Sequence, residues 1–169
     1  MRIIIITGES GSGKTRLIEQ MIPLLTKRGL RIGAIKHTHQ QFEIDREGKD
    51  SRCFAQAGAQ GVLICSAEKL AFIERHQPEP ALEQLLRNFF ENYDLMLVEG
   101  YRSAAYPKIE VCPQNGRLPS VEDIRKRKII AFVTNAQSGP KIPRFDYDES
   151  EQIAQFIVDN AVAPPISIK

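Results

Sequence analysis

The chain has 169 residues, of which 42% are hydrophobic and 26% charged, and a net charge of +2. That is enough chain for a single domain with its own core, and the near-neutral balance gives no electrostatic case for nucleic acid or an anionic membrane as partner. Cys53, Cys65 and Cys112 are odd in number and lack a C-x-x-C pair, which argues against a disulfide framework or zinc site and predicts reduced, mostly packed thiols.

No apolar run approaches the ~20 residues of a membrane span. Met1 leads directly into Arg2–Thr7, leaving no room for a signal peptide, so a cytoplasmic protein is expected. The run Arg2-Ile3-Ile4-Ile5-Ile6-Thr7 is β-branched and suits a buried strand. It ends in Gly8-Glu9-Ser10-Gly11-Ser12-Gly13-Lys14-Thr15, which matches the phosphate-binding pattern G-x-x-x-x-G-K-[ST] at every fixed position. In that pattern the glycines let backbone N–H groups curl around phosphates, the lysine reaches the β- and γ-phosphates, and the final hydroxyl is a Mg²⁺ ligand.

Leu17, Ile18, Met21, Ile22, Leu24 and Leu25 then recur at helical spacing, and Gly29 marks the stop. Pro23 falls inside this helix and predicts a kink or irregular last turns. Arg31–Lys36 reads as a second strand, followed by a polar stretch from His37 to Asp50 with the character of a functional loop. A short helix starts near Asp50-Ser51. Val62–Cys65 and Leu70–Ile73 form a hairpin around Ala67–Lys69. Pro78 and Pro80 open a helix carrying Leu82, Leu85, Leu86, Phe89 and Phe90.

Tyr93–Glu99 is a continuous apolar strand ending at Gly100, and Lys108–Val111 is a further candidate strand. Gly116–Ser120 is a turn, Ile129–Val133 the final buried strand, and Ile153, Phe156 and Ile157 mark a C-terminal helix stopped by Pro164 and Pro165. Strands alternating with helical segments predict an α/β fold, a mostly parallel sheet with helices on both faces. The loops that follow the strands then gather at one sheet edge, where a composite site is expected.

Several residues at that edge are candidates for chemistry. Asp94 lies roughly 16 Å along the strand from the phosphate end, so Glu99 is the acid that can hold Mg²⁺ or orient a water. His37 and His39 would share a side, but without an obvious third ligand they read as a structural pair or a phosphate contact rather than a metal site. For Asp45 and Asp50 two readings stand, a Mg²⁺ contact or a helix cap; Ser51 reads as a cap. Arg125-Lys126-Arg127-Lys128 reads as a solvated segment. Asn135, after the last strand, either bonds a purine or occupies a simple turn. An N-K-x-D guanine signature is missing there.

Taken in order, the N-terminal P-loop, Lys36-His37-Thr38-His39, Gly48-Lys49-Asp50-Ser51, Ala57-Gly58-Ala59 and Leu97-Val98-Glu99-Gly100-Tyr101 resemble the molybdopterin-guanine dinucleotide biosynthesis adaptor protein B family. The resemblance extends over nearly the whole chain. It implies a P-loop NTPase fold in one nucleotide-binding domain, residues 1–169, binding GTP with Mg²⁺ and hydrolysing it weakly. It also implies a homodimer joined through β-structure that assists the molybdenum cofactor guanylyltransferase, with molybdopterin as a further candidate ligand.

By position, Gly8–Thr15 would be the phosphate loop, Asp45 and Glu99 magnesium or hydrolysis residues, and the segment from Lys36 and His37 through Asp50 to Ser51 a nucleotide or partner surface. Tyr101-Arg102 stands where the family more often has Phe-Lys, keeping an aromatic and a cation. Arg46 and Arg102 are candidate arginine fingers. The competing reading is an ATP-dependent small-molecule kinase, which would need a mobile arginine-bearing lid. Arg125–Lys128, directly before a buried strand, has little length for one.

Overall fold

A computed structural model describes residues 1–38, 40, 42, 50–113, 116–136 and 138–165. The chain divides into two compact units, Met1–His37 with Leu82–Lys169, and Thr38–Ala81.

The first unit is built on a six-stranded sheet of β1 (Arg2–Gly8), β2 (Ile32–Lys36), β5 (Leu95–Glu99), β6 (Lys108–Val111), β7 (Ile129–Val133) and β8 (Arg144–Phe145). Their order across the sheet is β2-β5-β1-β6-β7-β8, and every ladder is parallel. Four helices belong to this unit: α1 (Lys14–Lys27), α3 (Leu82–Phe89), α4 (Val121–Arg127) and α5 (Ser150–Asn160). A parallel sheet buried on both faces needs apolar residues at successive positions, which is what Ile3–Ile6 supplies. Ile4 and Ile6 pack with Leu17, Met21 and Leu25 of α1 and Ile153 and Ile157 of α5. Ile3 and Ile5 point the other way, onto Leu82 and Leu86 of α3. Towards the β8 side, Ile124 of α4 packs with Ile129 and Phe132. The expected α/β architecture, with helices on both faces, is therefore present.

The second unit holds α2 (Asp50–Gln56) and the antiparallel hairpin β3 (Gly61–Cys65) with β4 (Leu70–Glu74), paired as the sequence predicts. Leu63, Ile64, Leu70, Phe72 and Phe54 of this unit are exposed.

Four expectations need correction or refinement. Ile129–Val133 is not the last strand, because β8 adds a two-residue edge beside it. The basic run is mostly solvated as expected, with Arg125, Lys126 and Lys128 exposed and Arg127 half-buried, but it ends α4, a helix started by Ser120, whose side chain accepts from Asp123 N while Asp123 reaches back to Ser120 N. The thiols are not mostly packed, since Cys53 and Cys65 are exposed and Cys112 alone of the three is buried. Helix α1 continues through Pro23, which lies on its exposed side, to Lys27.

Candidate functional site

Parallel register sets the site. Ile6 of β1 is level with Glu99 of β5, and Glu99 with Lys36 of β2, so the three strands end together. The turn after β1 is possible because Gly8 has a φ of 150° and no side chain. A Cβ at Gly8 would stand 2.2 Å from the Val111 carbonyl oxygen and 2.6 Å from Ser12 Oγ. Only glycine lets the loop fold this closely over β6. Glu9, Ser10 and Gly11 are exposed at its crest.

Gly13 caps α1 in a left-handed conformation without a side-chain hydrogen bond, so no side chain occupies the positive end of this fourteen-residue helix. Lys14 Nζ donates to the Glu9 carbonyl at 2.6 Å, curled over the loop. Ser12 Oγ is buried without a hydrogen-bond partner in the protein. An unpaired buried hydroxyl in a loop of this sequence fits a phosphate cradle.

Beside the loop, Thr15 Oγ1 donates to Glu99 Oε2 at 3.1 Å, and Lys36 Nζ lies 3.6 Å from the same oxygen. The Glu99 side chain is only 12% exposed. A hydroxyl and a carboxylate oxygen converging at the end of a phosphate loop form an oxygen donor set suited to Mg²⁺. Asp94, at the opposite end of the strand, accepts from Arg31 N at 2.8 Å, as the distance argument predicts.

After Glu99, Gly100 turns the chain at a φ of 99°, and a Cβ there would approach His37 Cβ to 2.9 Å. His37 extends the β2–β5 ladder through its N–H to the Glu99 carbonyl at 2.9 Å, and its ring stands 4.4 Å from that of Tyr101. It thus serves the backbone next to Glu99. Asn135 follows β7 and is half-buried, next to Thr134, whose Oγ1 accepts from Ala136 N.

The structure brings together Gly8–Thr15, Lys36, His37 and Glu99. Asp50 and Ser51 are the first two residues of α2 in the second unit, so Ser51 lies within the first turn rather than ahead of it. Asp45, Arg46 and His39 lie outside the described residues. Among the described residues no group of three His, Cys, Asp or Glu could hold a metal by itself.

The sequence offers Arg102 as a candidate arginine finger; the other residues that shape the site, Tyr147, Glu110 and Lys108, are not singled out there. Arg102 donates to the Gly8 carbonyl and so braces the loop from the β5 side. Tyr147, just after β8, donates to the Cys112 carbonyl, and its hydroxyl is 3.3 Å from the Ser12 carbonyl, joining the loop to the end of β6. Burial raises the Tyr147 pKa. Beneath the loop, Glu110 accepts from Thr7 Oγ1 and from Arg127, each at 2.5 Å.

Lys108 is buried, donates to the carbonyls of Ala104 and Tyr106, and has its pKa lowered to about 8, first by burial and then by Arg127 and Lys128. It fixes the connection that carries Arg102. Glu110 sits between apolar residues in a strand, and in a sheet covered on both faces that pattern signals a buried charge with a partner, here Arg127. Tyr147 carried no such signal.

Residues 3–135 match the family described as "MobB: Molybdopterin guanine dinucleotide synthesis protein B". A molybdopterin-guanine dinucleotide biosynthesis adapter protein of Haemophilus influenzae is 36% identical over 155 residues, 90% of this chain and 85% of the relative. One from Escherichia coli is 32% identical over 153 residues, 89% of this chain and 87% of the relative. Among solved structures, a molybdopterin-guanine biosynthesis protein B superposes with a TM-score of 0.76 at 34% identity, covering 93% of this chain and 98% of its own. The match across strand, loop and Glu99-Gly100, at these identities and coverages, leads to one assignment: the chain belongs to the MobB family.

Proposed function

We propose that this protein binds GTP with Mg²⁺ at the P-loop and acts as an accessory protein in molybdenum cofactor biosynthesis, assisting formation of molybdopterin guanine dinucleotide. The observation that carries the phosphate site is the unpaired Ser12 hydroxyl inside the loop, flanked by the Thr15–Glu99 pair. Backbone N–H groups of Gly11–Thr15 would hold the phosphates, and Lys14 would exchange the Glu9 carbonyl for a phosphate oxygen. Thr15 and Glu99 would hold Mg²⁺, which when bound neutralises phosphate charge. Lys36 sets a positive charge beside Glu99, and Arg102 and Tyr147 keep the loop in shape.

Weak hydrolysis by a protein acting mainly as an adaptor is proposed on the family relationship, with Asp45 as a second hydrolysis or metal residue. The guanine base is proposed on the family relationship, with Asn135 as its candidate contact. The guanylyltransferase and molybdopterin are proposed as partners, and the cytoplasm as the compartment. We place a homodimer contact on the β3–β4 hairpin, whose apolar side chains are exposed. The kinase reading loses ground because the basic run cannot serve as a lid: Arg127 is bound to Glu110 and Lys128 to the Ala105 carbonyl.

Glu99→Gln tests the metal corner. The affinity gained by adding Mg²⁺ to a GTP titration is expected to fall by about tenfold or more, with metal-free affinity unchanged. An unaltered Mg²⁺ dependence would remove Glu99 from the site.

A further inference from the structure

Strands β7 and β8 are parallel neighbours, yet residues 134–143 join them with no helix among the described residues. Parallel strands are usually connected by about a dozen residues or more, most often through a helix that satisfies its own backbone. This short crossover leaves carbonyls that need donors from elsewhere. Arg144, the first residue of β8, supplies them. Its Nη2 donates to the carbonyls of Gly139 and Pro140 at 3.0 and 3.1 Å, and its Nη1 to that of Ala136 at 3.5 Å. Arg144 is half-buried, with the crossover wound around it. The departing leg is pinned by Thr134 Oγ1, which accepts from Ala136 N at 3.2 Å, and the returning leg by Ile142, packed on the cluster of Ile124, Ile129 and Phe132. Asn135 sits in the departing leg, between the two residues that make that bond.

Register places this crossover beside the phosphate loop. Gly8, Val111, Val133 and Phe145 stand level across β1, β6, β7 and β8. At ~4.8 Å per strand, the end of β7 is roughly 10 Å from the first glycine of the loop. Thr15, Glu99 and Lys36 gather on the β5 side of β1, so the metal-bearing end of a nucleotide belongs there. The nucleoside end then extends the opposite way, over β6 towards β7. We propose that Arg144 is a positioning residue for base selection, holding the crossover in the one shape that presents Asn135 to the purine. The proposal rests on the nucleotide reading above, with Asn135 as the base contact. One base is told from another by hydrogen bonds at fixed positions, and a loop that must be ordered on binding loses part of that discrimination. The hold on phosphate belongs to the P-loop and does not depend on Arg144.

Full-length wild type, Arg144→Met, Asn135→Ala and the double variant are titrated with GTP, ATP and inorganic tripolyphosphate in Mg²⁺. In Arg144→Met the ratio of GTP to ATP affinity is expected to shrink by about fivefold or more, with tripolyphosphate affinity unchanged. Arg144→Lys, which keeps donors at this position, should recover part of the ratio. In the Asn135→Ala background Arg144→Met should change the ratio no further, because the two residues act through one contact. An unchanged ratio in Arg144→Met, an equal loss of tripolyphosphate binding, or fully additive effects of the two substitutions would each overturn the proposal. A wild type that prefers ATP, with that preference still dependent on Arg144, would instead sink the guanine reading and leave the role of Arg144 standing.

Discussion

Two charged residues in the strands on either side of β1 show how far single positions could be read. Glu99 was legible because a carboxylate closing an apolar strand has one place to be, and strand rise alone separated it from Asp94. Lys108 was not, since a lysine at a strand start is normally expected to reach solvent. In the fold it is 1% exposed and donates to two carbonyls. Burial disfavours its charged form and lowers its pKa from 10.5 to about 8. Between those values the unfolded chain holds a proton that the folded chain has released, so this residue's contribution to stability rises with pH across that window. Denaturant unfolding of wild type and Lys108→Met at pH 7.5 and 9.5 should show the wild type gaining on the variant at the higher pH. An unchanged difference between the two proteins would mean that Lys108 stays charged in the fold.

Among the elements, the strands and long helices of the sheet unit announced themselves through apolar period, and the sheet edge that gathers the site followed from their alternation. The misses have physical causes. Helix α4 is seven residues long with Ile124 its one buried side chain, too short for a period to appear, although Ser120-x-x-Asp123 carried a capping signature before it. Strand β8 has two residues and no apolar run. It forms because Phe132 N and Thr134 N find the carbonyls of Pro143 and Phe145. Arg102 and Tyr147 brace the loop by reaching backbone carbonyls, and a carbonyl has no sequence identity to read. Ser120→Ala should cost about 1 kcal/mol, a typical value for a lost cap. A thermal shift indistinguishable from wild type would mean that α4 is held by Ile124 and the Arg127–Glu110 pair alone.

For the whole molecule, the proposed assembly of two chains rests on the exposed hairpin. Apolar surface at Leu63, Ile64, Leu70 and Phe72 is costly in water, and burial against another copy would relieve it. Leu70→Asp should convert a two-chain species in sedimentation at micromolar concentration into single chains without loss of nucleotide binding. A wild-type protein that sediments as single chains would refute the dimer.

The central claim is that the P-loop holds a guanine nucleotide, and calorimetric titration of wild type and Lys14→Ala with GTP and ATP in parallel, in Mg²⁺, tests it most directly. Saturable binding that prefers GTP and weakens by about tenfold or more in Lys14→Ala is the predicted result, because a charge-assisted contact to phosphate is lost. Preference for ATP, or GTP binding indifferent to Lys14, would contradict it.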